Sequence, residues 1–258
     1  MKKPLSLLSF TILLLSLASP SWGRTLELTT EDGVQIHASM TGRGTDAVLL
    51  IHGRKKSSVV WKLFAEKLAA KGIRVLSIDL RGHGASGKAP QSGDEAYPAM
   101  IEDVRIGLKT LQRYQLKSIS IVGGDLGANL ALQAAAENSD VSNLVLLSPG
   151  FNIKGIKATQ YLQGYGQRPL LLAAGNGDEY STKTVKYLQT KAGGQNKLII
   201  PSGAESGAQL LEKHPDLEDG VLQWLDGNYG NEVLEDANRT ISIDAVDKME
   251  STGKSFGE

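Results

Sequence analysis

Hydrophobic and polar positions alternate over Arg24–Thr30 and again over Val34–Met40, with Glu31-Asp32-Gly33 between them. Two half-buried strands joined by a tight turn make a β-hairpin. The pattern then changes. Ala47–His52 (AVLLIH) is an unbroken apolar run, which predicts a central strand covered on both faces. Ser58–Lys71 carries Val60, Leu63, Phe64 and Leu68 at helical spacing, and Gly72 ends that helix. Ile73–Leu80 (IRVLSIDL) reads as the next strand, Arg81–Gly93 as a loop, and Asp94–Tyr114 as a long helix interrupted near Pro98. Ser118–Val122 is a short β-branched run, followed by the turn Gly123-Gly124-Asp125-Leu126-Gly127 and a helix over Ala128–Glu137. Ser142–Leu147 is a buried strand stopped by Ser148-Pro149-Gly150, and Phe151–Gly166 is ambiguous, with room for a short helix at Thr159–Gln163. Pro169–Ala174 and Lys197–Pro201 read as strands, Ser181–Lys191 as a helix, and Ala208–Leu225 as one final amphipathic helix.

Alternating strands and helices predict an α/β fold with a mostly parallel central sheet and helices on both faces. The 258 residues suffice for one large domain, and no internal repeat divides them. Three segments are expected. Residues 1–23 read as a signal peptide: a basic start at Lys2-Lys3, an apolar run over Leu5–Ala18, and small residues at Ser19–Gly23. The apolar run is shorter than the ~20 residues of a typical membrane-spanning helix, so a retained anchor is the weaker reading. Residues 24–226 form the α/β domain. Residues 227–258 are a polar, weakly periodic tail, with a short helix expected at Val233–Asn238.

Charge excludes one class of function. The 28 basic and 28 acidic residues balance, and loss of Lys2 and Lys3 leaves a slight acidic excess, so nothing favours nucleic acid. The chain has no cysteine, hence no disulfide. Together with the leader this fits a bacterial periplasmic or secreted protein, with no stable membrane insertion after cleavage.

The chemistry centres on residues 118–137. Strand, glycine turn and helix are the setting of a nucleophile elbow, normally G-x-S-x-G, and here the pattern is G-x-D-x-G with Asp125 in the serine position. With His52-Gly53 after a buried strand, DLRGHGAS at Asp79–Ser86, GGDLGA at the elbow and AAGNGDEY around Asp178, the chain resembles the α/β-hydrolase fold from Thr25 to Asp226. It is similar to small esterases of the dienelactone-hydrolase type. The resemblance implies that the backbone N–H groups of Arg54 and Leu126 form an oxyanion hole and that Asp178 stands at the triad-acid position. The triad histidine position falls on Ser206, or on Glu205 if the register shifts by one. The family mechanism needs a serine to attack, a histidine to take its proton and an acid to orient the histidine. Two of the three are replaced. The resemblance implies no cofactor and no metal. The 148–168 interval between strands leaves no room for a cap domain.

Alternatives remain at several residues. Dehalogenases and epoxide hydrolases of this fold use an aspartate at the elbow as nucleophile, but they also use the late-loop histidine and a cap. Asp125, Asp178 and Glu205 could instead converge for acid/base or metal work. His37 and His214 read as surface residues, and His52 and His83 as structural, with His52 and Gly53 bordering the pocket. Ser148, Ser202 and Ser206 sit on no elbow. Arg54, Lys55 and Lys56 make a basic cluster at the pocket mouth, read first as a solvated loop and second as a seat for an anion or a counter-charge for Asp125. Trp61 and Trp224 belong to core or rim, and Trp22 leaves with the leader. The reading is an exported hydrolase-like protein that binds a small molecule in the old pocket, or a protein partner. The alternative is a hydrolase of esters or related small molecules working through Asp125.

Overall fold

The structure, a computed structural model, describes residues 23–88 and 93–229. The expected leader, to Trp22, and the helix expected at Val233–Asn238 lie outside the described residues. Strands β1 (Arg24–Thr29) and β2 (Gln35–Thr41) form the opening hairpin. They are followed by β3 (Asp46–Ile51), β4 (Arg74–Ile78), β5 (Ser118–Gly124) and β6 (Val141–Leu147). A two-stranded ribbon, β7 (Asn152–Ile153) and β8 (Ile156–Lys157), precedes β9 (Leu170–Ala173) and β10 (Asn196–Ile199). The main sheet has eight strands in the order β1-β2-β4-β3-β5-β6-β9-β10, and only the pairs made by β2 are antiparallel.

The continuous apolar runs explain the layers. In β3, Leu49 and Ile51 face one core while Val48 and Leu50 face the other; in β6, Leu144 and Leu146 oppose Val145 and Leu147 in the same way. Successive side chains of a strand point to opposite faces, so a strand buried on both reads as a nearly continuous apolar run. Helices α3 (Ile101–Leu111), α4 (Leu126–Glu137), α5 (Ala158–Tyr165) and α6 (Glu179–Lys191) pack into the first core. Helices α1 (Lys62–Ala70), α7 (Ala208–Lys213) and α8 (Pro215–Leu225) pack into the second. A short helix α2 (Ala96–Ala99) leads into α3. No helix among the described residues is long and apolar enough to cross a membrane.

Three elements differ from expectation. The expected single helix over Ala208–Leu225 is broken at His214, whose φ −127° and ψ 85° leave the helical region. The ring of Pro215 disfavours helical geometry at the residue before it, while Pro215 itself opens α8. The helix expected from Ser58 begins as a 3-10 turn over Ser58–Trp61, and its inward face is Trp61, Phe64, Ala65 and Leu68. Val60 and Leu63, expected inward, lie outside with Val59; Val59 and Leu63 are 73% and 68% exposed. The ambiguous 151–166 stretch forms the β7–β8 ribbon and α5, a full helix where a shorter one was expected. The first tail residues extend the fold, for Tyr229 meets Trp224 edge-on with ring centroids 4.8 Å apart and accepts a hydrogen bond from Asn143.

Arg81 ties the loop after β4 to the rest. It is fully buried, its Nε donates to Asp103 Oδ1 at 2.8 Å, its backbone N–H to Asp103 Oδ2 at 2.8 Å, and its two terminal nitrogens to Asp32 at 2.6 and 3.1 Å. Burial pushes the Asp103 carboxyl up to about 6 against the pull of Arg81. Hydrogen bonds from Arg81 and Thr30 hold Asp32 down at about 2. Removing one partner of a buried pair strands the other charge, so Asp103→Ala is expected to lose about 3 kcal/mol of stability in urea unfolding. Asp103→Asn, which keeps an acceptor at the same place, should lose less.

Candidate functional site

Strand β5 runs into the elbow at Gly124, Asp125 takes φ 52° and ψ −121°, and α4 begins at Leu126. A side chain held at positive φ is strained, and such strain collects where a residue must be presented at a fixed place. Asp125 is pinned on both sides: its N–H donates to Leu147 O at 2.8 Å and its carbonyl accepts from Ala128 N at 2.9 Å. The neighbours are close. A Cβ at Gly127 would lie 2.5 Å from the carbonyl oxygens of both Ile51 and His52, and one at Gly124 would lie 2.8 Å from Gly207 Cα. These approaches bring the turn after β3 and the loop after β10 against the elbow.

The Asp125 carboxylate faces Arg54. The Arg54 backbone N–H donates to Oδ2 at 2.9 Å, Nε donates to Oδ2 at 3.0 Å, and the terminal amine donates to Oδ1 at 3.1 Å. Both carboxylate oxygens are thus held by charge-assisted bonds, and one also holds the amide that the resemblance assigned to the oxyanion hole. The other amide so assigned belongs to Leu126, the buried first residue of α4.

Around this pair lies a pocket of about 330 Å³. Its walls include Gly53, Arg54, Lys55 and Lys56 from the turn after β3, Val60, Tyr97, Asp125, Lys154 from the β7–β8 turn, and Ser206 to Gln209. Four cations therefore surround one carboxylate. Three of the four non-glycine residues at positive φ among the described residues, Lys55 (56°), Asp125 (52°) and Lys154 (51°), line it. The fourth, Ser148 (55°), accepts from the N–H of Gly207 in its wall. Lys154 is positioned by Asn129 of α4, which is fully buried, donates to Gly150 O and Ile156 O, and accepts from Gly150 N. Lys154, Tyr97 and Gln209 were not singled out from the sequence. The Ile153-Lys154-Gly155 turn was the available signal, but nothing local said which loop it would overhang.

The other expected site residues take separate places. Ser206 lines the pocket and Glu205 does not. Glu205 turns toward His214, Oε2 to Nε2 3.7 Å, and both atoms are enclosed without a hydrogen bond. His214, expected on the surface, is thus largely covered, with 20% of its side chain exposed. Asp178 caps α6, its side chain accepting from Ser181 N at 3.1 Å, and is not in the pocket wall. The three carboxylates that could have converged have three different partners, and no group of three potential metal ligands occurs among the described residues. Ser202 is exposed, while Trp61 and Trp224 are core. His37 pairs with Glu27 on the opening hairpin at 2.9 Å, and His83 Nδ1 contacts Arg81 O at 3.1 Å.

His52 lies beneath the pocket and is not in its wall. Its Nε2 accepts the Leu80 N–H at 2.9 Å, which places the proton on Nδ1, where it donates to Gly53 O at 2.7 Å. Burial holds this ring neutral, down to about 4, against the Gly53 bond that would raise it. Asp79 completes the support. Burial opposes its charge, but amides of Ala85 and Ser58, at 2.9 and 2.6 Å, win and keep its carboxyl below the usual range.

Over residues 46–178 the chain matches the family described as alpha/beta hydrolase fold. It is 30% identical over 121 residues to the AB hydrolase superfamily protein YisY of Bacillus subtilis (strain 168), covering 46% of this chain and 43% of that one. It is 33% identical over 109 residues to an epoxide hydrolase of Caballeronia sordidicola, covering 42% of this chain and 32% of the other. The chain therefore spans less than half the length of either relative. The structure of the Pyrococcus furiosus esterase Pf2001 superposes with a TM-score of 0.70 at 21% identity, over 81% of this chain and 92% of that one. That likeness concerns the fold.

The His52 geometry predicts a pH dependence. The folded ring resists protonation while the unfolded one titrates near 6.5, so its contribution is intact above 6.5 and is lost as pH falls toward 4. A His52→Gln variant, whose amide can accept from Leu80 and donate to Gly53, has no such loss. Between pH 6.5 and 4 the wild type should lose about 3 kcal/mol relative to that variant in denaturant titrations. The opposite trend of Asp103 is common to both proteins and cancels.

Proposed function

Because the chain belongs to the α/β-hydrolase fold family, we propose that it is an exported hydrolase-like protein that binds a small molecule at the elbow and has lost serine-esterase chemistry. The observation that carries this reading is the hold of Arg54 on Asp125. Acyl transfer needs a nucleophile free to attack and donors waiting for the oxyanion. Here a carboxylate engages a guanidinium through both oxygens and already takes the Arg54 amide. Its negative charge would oppose an oxyanion at the same place.

The rest of the apparatus points the same way. No imidazole lines the pocket among the described residues, Ser206 stands where the resemblance puts the base, and Asp178 is engaged as a helix cap. Loss of nucleophile and base together costs roughly 10⁶-fold in rate in a triad enzyme. The pocket, about 330 Å³, suits a small ligand better than a protein segment. Export rests on the basic, apolar and small-residue order of the first 23 residues, with a periplasmic or secreted destination. A second reading, hydrolysis through Asp125, draws on the bond from Arg54 N to Oδ2, which would hold one oxygen while the other attacks. The guanidinium on both oxygens weakens it.

Hydrolysis of p-nitrophenyl acetate and butyrate by the purified chain separates the two. The wild type and Asp125→Ala should both be silent above the buffer rate. Asp125→Ser/Ser206→His should gain turnover, since it returns nucleophile and base to an intact elbow. Wild-type turnover that disappears in Asp125→Ala would replace the binding reading with the hydrolytic one.

A further inference from the structure

The pocket has more positive charge than Asp125 can balance. Asp125 engages Arg54, and Lys154 lies 3.4 Å from the well-exposed Asp94. No ion pair joins Lys55 or Lys56 to a carboxylate among the described residues, although both line the pocket. Lys55 and Lys56 are exposed at the mouth of the pocket and Lys154 is half-buried; like charges gathered in one concavity repel one another, and Lys55 and Lys154 are held there by backbone at positive φ. An anionic ligand relieves that repulsion.

The rim adds a second, different property. Val60 lines the pocket, and Val59 and Leu63 continue from it across the outer side of the 3-10 turn and α1. Residues three and four apart are neighbours on such a surface, so Leu63 adjoins both Val60 and Val59 on the exposed side. They are three of the four exposed large hydrophobic residues among the described ones. Scattered exposed valines mean little, but a strip that starts at a charged pocket is a candidate contact.

We propose that the pocket takes the headgroup of a single amphiphilic anion, a short alkyl chain ending in an oxyanion, with the headgroup on Lys55, Lys56 and Lys154 and the chain on Val60, Val59 and Leu63. This rests on the reading of the pocket as a binding site. Asp125 acts as a built-in anion that keeps Arg54 from joining the ligand's cation set.

Calorimetric titration of the purified chain at low ionic strength tests this, with hexyl phosphate, inorganic phosphate and hexanol as probes. Hexyl phosphate should bind about tenfold tighter than inorganic phosphate, and hexanol should show no binding. Lys55→Gln/Lys56→Gln should weaken both phosphates about tenfold and flatten their salt dependence. Val59→Ser/Leu63→Ser changes only exposed side chains; it should bring hexyl phosphate down to the level of inorganic phosphate and leave the latter unchanged. Asp125→Ala should tighten inorganic phosphate several-fold by removing the competing charge. Equal binding of the two phosphates by the wild type, or indifference to the double lysine change, overturns the proposal. So does co-sedimentation with phosphatidylglycerol vesicles without binding of monomeric hexyl phosphate, which would make the site a membrane contact. Ester turnover dependent on Asp125 would overturn the binding function above while leaving these titrations to stand or fall on their own.

Discussion

At the elbow a Cβ on Gly127 would stand 2.5 Å from the carbonyl oxygens of Ile51 and His52, and one on Gly124 would stand 2.8 Å from Gly207 Cα. Three backbone segments far apart in sequence are packed there without an intervening side chain. That close approach requires glycine, and it forces the turn between strand and helix to be sharp. Everything in the pocket depends on it: Arg54 and the lysines beside it arrive on the turn after β3, Ser206 arrives on the loop after β10, and Asp125 is presented between them.

Electrostatics then decides what such a pocket can do. In an esterase of this fold the donors at the elbow wait for charge that develops in the transition state. Here permanent charge is already present. Asp125 and Arg54 satisfy each other, and the remaining lysines are left facing a space of about 330 Å³. That positive field is what the proposal of an anionic ligand rests on. His52 shows the same settlement below the pocket, for both of its ring nitrogens are committed to backbone partners and burial keeps the ring neutral.

Much of the fold was legible because strands buried on both faces are mostly apolar, and β3 and the Leu144–Leu147 half of β6 announce themselves in that way. Helix faces were less legible. Val60, Leu63, Phe64 and Leu68 fit a helical stripe, yet only Phe64 and Leu68 point inward, because Trp61 and Ala65 fill the space on that side. The break at His214 was written in the following proline and was masked by the amphipathic pattern on either side of it. Ser206 and Glu205 could not be separated by counting residues. The path of the loop turns Glu205 toward His214 and brings Ser206 to the pocket wall.

The sequence by itself determined the layered α/β architecture, the elbow and the aspartate at its tip, since these follow from local periodicity and from glycines whose spacing has one steric use. Tertiary structure alone decided the partners: Arg54 on Asp125, Asp178 as the cap of α6, and Lys154 brought over the elbow by Asn129. The physical reason is range. Backbone preference and burial act over a few residues and leave a mark in composition, whereas a charge pairs with whatever the folded chain places within a few ångströms of it.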